Sequence, residues 1–368
     1  MKSLPKVTVC GGGRAGTAIA GDLALMGCEV NLFQIEEFGK SIEPIIERGG
    51  IEITGETQSG KNGFAKLNLV TTDASEAFKG VDMIMVAVPA FGQEAFFNAF
   101  SPCLEEGQVI LTNTPYWACL RFAGKLKGMG ILDRITLAET AIMPYLSDIL
   151  KPTATHIYKT KQDVPIAAFP ANKTDAVLDV VGGVYPQFKK VKNVLWTSLG
   201  CLNTPVHPTL SVPMAGLMFD RYRGGCRFYG EATIPGGRLL EAYDKERLAV
   251  ARKVGAELVS EAEAFFKAYG YKAANIAEAL RKSDHSEMFV DVDFQKALLI
   301  EDIRYFYVLL SELGSSLGVP TPVTNGIIDL MGVMLDIDYR EGATTLEDVG
   351  LAGLNAEQIV SYVTKGEM

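Results

Sequence analysis

His207 stands in "CLNTPVHPTL", between prolines and apolar residues, with Asn203 one helical turn before it. The other histidines read as ordinary: His156 as a packed or edge residue in "THIYKT", His285 as part of a solvated loop in "SDHSE". Asp302 lies in "KALLIEDIRYFYVLLSEL", where helical spacing puts it on one face with Leu298, Leu299, Tyr305, Phe306, Leu309 and Leu313. A carboxylate on an apolar stripe must find a partner, because burying it alone costs several kcal/mol. An imidazole would make the pair a positioned acid or base near neutral pH. Lys296 or Arg304 would make it a structural ion pair, and the residue types alone leave both readings open.

A second group suits a ligand rather than a proton. "VTVCGGGRAGTAIAGDLALMGCEVNLFQ" sets Gly11, Gly13 and Gly16, with Arg14 and Ala15 between the last two, after an apolar strand and at the start of a helix. Such a loop turns tightly, lets backbone approach a pyrophosphate and aims a helix N-terminus at it. No GK[ST] follows, so a P-loop is not expected. A later apolar strand, the fourth of such a sheet, ends in Val88-Pro89, where it would deliver backbone against a ribose of the dinucleotide. Gln34 occupies the end of the second strand, where Asp or Glu usually holds the adenine ribose of NAD. Glu36 and Glu37 follow it and would repel a 2′-phosphate, which favours NAD, with NADP still possible.

The elements that position these groups follow from periodicity. Strand-length apolar runs at Lys6 to Cys10, Glu29 to Phe33, Met83 to Val88, Val109 to Thr112, Ile135 to Ala138, Thr155 to Tyr158 and Ile166 to Phe169 alternate with helical patterns. That is an α/β, Rossmann-type doubly wound sheet. From Asn193 helical periods take over, notably Asp244 to Tyr269 and Gln295 to Leu317, each closed by a glycine. The reading is a nucleotide-binding domain over residues 1–192 and an all-helical C-terminal domain over 193–368.

Composition narrows the function. Net charge is −9 with Lys and Arg dispersed, which argues against a nucleic-acid surface. No apolar run is long enough to span a bilayer, and the N-terminus enters a strand without a signal core, so a cytoplasmic protein is expected. Six scattered cysteines without a CxxC pair read as reduced thiols, with neither disulfide nor metal site. A homodimer through apolar surface of the helical domain is compatible with the pattern.

Taken together, "GGGRAG", "AETAIMPY" (138–145), "LNTPVHP" (202–208), "FYGEATIP" (228–235) with "DKERLAVARKVG", "EDI" (301–303), "GVPTP" (318–322) and "TTLEDVGLAGL" (344–354) resemble the octopine/nopaline (opine) dehydrogenase family over nearly the whole chain. The resemblance implies an NAD(P)-dependent oxidoreductase that condenses an amino acid or amine with a 2-oxo acid and reduces the imine. It assigns the catalytic pair to His207 and Asp302, makes Asn203 a polar neighbour and puts Glu139 in the interdomain cleft near amine or cofactor. It also exposes departures. An Arg expected five residues before the aspartate is Ala297, the residues after Pro144-Tyr145 are Leu146-Ser147, and "GRTLE" is "GATTLE". Lys296, Arg223 and Arg227 are the cations left to grip a substrate carboxylate. Two other readings keep the fold: a dehydrogenase of a hydroxy acid or other alcohol, and a nucleotide sensor without turnover.

Overall fold

The computed structural model describes residues 4–219, 224–270, 273–284 and 286–366. Two compact units divide the chain, residues 4–197 with 364–366 and residues 198–363 without the undescribed positions.

The first unit is built on an eight-stranded sheet. Strands β1 (Lys6–Cys10), β2 (Glu29–Phe33), β3 (Gly50–Gly55), β4 (Gly63–Lys66), β5 (Leu69–Thr71), β6 (Met83–Val86), β7 (Val109–Thr112), β8 (Thr136–Thr140), β9 (Tyr145–Lys151), β10 (Ala154–Thr160), β11 (Val164–Phe169) and β12 (Phe188–Lys190) follow in chain order. The parallel run β5-β2-β1-β6-β7-β8 has the doubly wound order, reversing direction between β1 and β6. β11 adds antiparallel to β8, and β12 parallel to β11. Central strands are buried on both faces, hence the unbroken apolar runs "MIMV" and "VILT".

A second sheet, β4-β3-β10-β9, was not legible in the periodicity. It takes β10, whose Thr155 to Tyr158 read as part of the main sheet, and His156 there bonds Thr54 through Nδ1 at 2.8 Å. Helix α1 (Arg14–Met26) packs against both sheets, which explains a run from Gly16 to Leu23 that is buried all round. Its buried Asp22 accepts the Tyr145 hydroxyl at 2.6 Å and the backbone N–H groups of Gln58 and Ser59. Three donors thus satisfy the buried carboxyl group.

Among its described residues the second unit has helices and, as strands, only the short pair Gly225–Cys226 and Val290–Asp291. Helices α2 (Asn203–Met218) and α3 (Ile234–Lys253) pack on each other around Leu210, Met214, Phe228 and Leu240. The helix expected over Asp244 to Tyr269 is broken: α3 stops at Lys253, Gly255 takes φ +69°, and Ser260 caps a new helix, Glu261–Tyr269. Buried Arg247 holds the intervening loop, donating to the carbonyls of Leu199 and Val259 and to Asp244. Asp244 in turn accepts the Glu261 N–H at 2.9 Å.

Glu261 is fully buried and neither carboxyl oxygen has a hydrogen-bond partner. Burial, with Asp244 nearby, pushes its carboxyl well above the usual range against the pull of Arg247. Its folded-state pKa exceeds the unfolded one, so its contribution is intact below the unfolded value and stability is lost as pH rises above it. Glu261→Gln is therefore expected to raise Tm at pH 8 by about 2 °C or more, the gain vanishing toward pH 4. Thermal unfolding across that range checks it, and a gain independent of pH would contradict it.

Candidate active site

The glycine loop is built as a cradle. A Cβ on Gly16 would stand 1.8 Å from the Gly11 carbonyl oxygen, and one on Gly11 (φ +107°) 2.7 Å from Val88 Cγ1. Around Gly13 nothing lies within 4 Å of such an atom. Gly13 caps α1 without a side-chain hydrogen bond, and no acid occupies the first turn, so the N–H groups at Arg14, Ala15 and Gly16 lie at a helix end suited to an anion. Arg14 pairs with Asp148 at 2.9 Å on a half-exposed surface. Val88 is buried against the loop, and Pro89 starts the helix Ala90–Phe100.

Asn113 follows β7 at the same carboxyl end of the sheet. It is fully buried, its N–H donates to the Val86 carbonyl, and neither atom of its side-chain amide has a partner. A donor and an acceptor left this way at the carboxyl end of the sheet fit a polar ligand group. Positive φ at Tyr116 and Trp117 distorts the following turn, which Arg121 braces through the Tyr116 carbonyl and Gln93. The residues present therefore fit a dinucleotide. Gln34 is buried, with its Nε2 donating to Ser41 and its Oε1 accepting the Ile35 N–H. It shapes the loop's outer wall and carries no charge.

The proton-handling groups converge in the second unit. His207 Nδ1 lies 2.8 Å from Asp302 Oδ2, with side-chain exposures of 8% and 0%. A carboxylate only accepts, so Nδ1 carries the hydrogen and the imidazole is held in one tautomer. Of the two cations weighed for Asp302, Arg304 donates to the Asp338 carbonyl and Lys296 is half-buried on the same helix as the aspartate. Nε2 lies 2.9 Å from the Tyr229 hydroxyl. Asn203 is half-buried, one turn before His207.

Helix chemistry sets this geometry. Pro208 has no N–H for the Thr204 carbonyl, which accepts the Tyr307 hydroxyl at 3.0 Å instead. Tyr307 stacks on Tyr243, centroids 4.3 Å apart. Gln295 donates to Ser211 at 2.8 Å, and Ser211 donates to the His207 carbonyl at 2.7 Å, pinning α2 to α4 (Val292–Asp302). Asp302 ends α4, a π turn runs over Ile303–Tyr307, and α5 (Val308–Ser316) continues. The helix expected over Gln295 to Leu317 is thus present with one turn widened, and Leu299, Phe306, Leu309 and Leu313 are buried as expected.

Other expected residues lie elsewhere. Glu139 is fully buried on β8, accepting the Cys119 N–H and the Thr197 hydroxyl. Arg227 pairs with Glu287 on the exposed surface. Arg223 and His285 lie outside the described residues. Tyr229, Asn113, Gln295 and Ser211 were missed. "FYGEATIP" contained Tyr229, but nothing in its spacing linked it to His207.

Among the described residues no cluster of His, Cys, Asp or Glu could hold a metal, no helix is long and apolar enough to cross a membrane, and none of the six cysteines is joined in a disulfide.

Comparisons with known proteins complete the picture. Residues 190–335 match the family described as NAD/NADP octopine/nopaline dehydrogenase, alpha-helical domain, and residues 6–115 match the NAD-dependent glycerol-3-phosphate dehydrogenase N-terminus. An opine dehydrogenase of Arthrobacter sp. (strain 1C) is 32% identical over 96% of this chain and 98% of its own. Among solved structures, octopine dehydrogenase in complex with NADH and agmatine superposes with a TM-score of 0.77 at 18% identity, covering 100% of this chain and 99% of that one. Yersinopine dehydrogenase with NADP+ bound gives 0.72 at 12%, covering 99% of each chain. With a glycine cradle on one unit and a buried His–Asp pair on the other, and this likeness along its full length, the chain belongs to the opine dehydrogenase family of NAD(P)-dependent oxidoreductases.

Proposed function

We propose that the protein condenses an amino acid or amine with a 2-oxo acid and reduces the resulting C=N bond, with NAD as the preferred cofactor. The observation that carries this is the buried, tautomer-fixed His207–Asp302 pair on the helical unit of a chain whose other unit bears a dinucleotide cradle.

Bound NADH supplies a hydride to the imine carbon. Gly11, Gly13 and Gly16 would admit the pyrophosphate to the N-terminus of α1, and Asn113, after β7, would offer its uncommitted amide to the same cofactor. His207, protonated, is the source of the proton that the oxo acid's oxygen needs to depart as water. Asp302 stabilises the imidazolium and prevents the ring from turning. Asn203 orients the polar end of the substrate from the same helix face. Lys296, with Arg223 and Arg227, provides the cations available to carboxylates in place of the arginine absent at Ala297.

In the deciding assay, nicotinamide absorbance is followed with pyruvate and related oxo acids, with and without a panel of amino acids. Oxidation of NADH is expected only when both substrates are present. Oxidation by the oxo acid alone would favour an alcohol dehydrogenase, and cofactor binding without any turnover would favour a sensor.

A further inference from the structure

We propose that Tyr229 is the proton donor that meets the substrate, with His207 recharging it and Asp302 holding His207. The proposal rests on the imine-reduction reading above and adds a residue to it.

Both ring nitrogens of His207 are taken, Nδ1 by Asp302 and Nε2 by the Tyr229 hydroxyl at 2.9 Å. Exposure falls inward along the chain: Tyr229 is half-buried, His207 is 6% exposed and Asp302 is 0% exposed. The phenol is therefore the outermost member of the three. Its position is fixed by Phe228, edge-on at 5.2 Å, and by the turn in which the Glu231 N–H bonds the Arg227 carbonyl. Gly230 lies so close to the Ser286 carbonyl that a Cβ would stand 2.2 Å from it, which anchors the turn from its other side.

Hydrogen-bond direction makes the pair a relay. With a neutral imidazole, Nε2 has only a lone pair, so the phenol donates to it. Once the imidazole is protonated, Nε2–H donates to the phenol oxygen and the phenolic hydrogen is released toward the substrate. As the amine nitrogen forms its bond to the carbonyl carbon, the C=O π pair moves to oxygen. That oxygen takes the phenolic proton, and the Tyr229 oxygen takes the proton of His207 Nε2. The added nitrogen loses a proton to solvent, and solvent restores the imidazolium. A second proton along the same path lets the hydroxyl leave as water, the C–O bond breaking as C=N forms.

Tyr229→Phe removes only the hydroxyl. It is expected to lower kcat about 100-fold or more, with KM for both substrates changed only a few-fold and with NADH binding, read by fluorescence titration, unchanged. Placing 3-fluorotyrosine at 229 keeps the ring and makes the phenol more acidic, so the alkaline limb of the kcat profile is expected to move to lower pH. A Tyr229→Phe kcat within threefold of the parent, or a 3-fluorotyrosine profile that does not move, would overturn the relay. Absence of amine-dependent turnover in the unmodified protein would instead overturn the imine-reduction reading.

Discussion

A His207→Ala protein is expected to turn over about 10²–10⁴-fold more slowly than the parent while binding NADH with unchanged affinity. The hydrogen-bond partners of the imidazole, Asp302 and Tyr229, belong to the helical unit, and Ser211 holds the His207 carbonyl there. Cofactor affinity and proton transfer should therefore separate. Asp302→Asn should lose a comparable factor, because an amide neither favours the imidazolium nor selects the Nδ1–H tautomer. Steady-state kinetics beside a fluorescence titration of NADH provide the check. Full activity in His207→Ala would remove the histidine from the reaction. A parallel loss of NADH binding would show that the substitution acts on the fold.

The second large effect is on stability. Arg247 is almost wholly buried on α3, and its guanidinium joins Asp244 to the carbonyls of Leu199 and Val259, close to the unpartnered Glu261. Arg247→Met preserves much of the side-chain bulk but leaves the Asp244 charge buried without its cation. The expected cost is about 3–5 kcal/mol, the range for breaking a buried pair from one side. A lower urea midpoint with little change in slope would report it. Replacing Asp244 and Glu261 by apolar residues in the same chain should recover much of the loss, since removing both signs leaves no isolated charge. An Arg247→Met protein within about 1 kcal/mol of the parent would show that the cluster relaxes to water.

Periodicity and glycine spacing made the central sheet legible because those strands are buried on both faces, so their runs are uniformly apolar. The second sheet was hidden for the converse reason. β3, β4 and β9 are partly exposed strands in which glycine or charged residues interrupt the apolar ones, and only the tertiary cover they place over α1 gives them meaning. His207 and Asp302 were found because a carboxylate on an apolar stripe demands a partner, although choosing between histidine and a basic residue needed the resemblance. Tyr229 had no such signature. A half-buried tyrosine is ordinary in sequence, and its distance from Nε2 is set by a turn, not by a helical period. Glu139 shows the opposite: nothing in its motif signalled that its two oxygens join Cys119 to Thr197 inside the first unit.

The π turn over Ile303–Tyr307 stores one more residue than an α-helix would hold in the same length. Each residue of a regular helix advances the face by about 100°. Asp302 before the turn and Tyr307 at its end must both address α2, one through His207 and the other through the Thr204 carbonyl. The segment is therefore constrained by its residue count as well as by its side chains. A descendant chain one residue shorter here could keep the carboxylate in place or the tyrosine clamp, but not both.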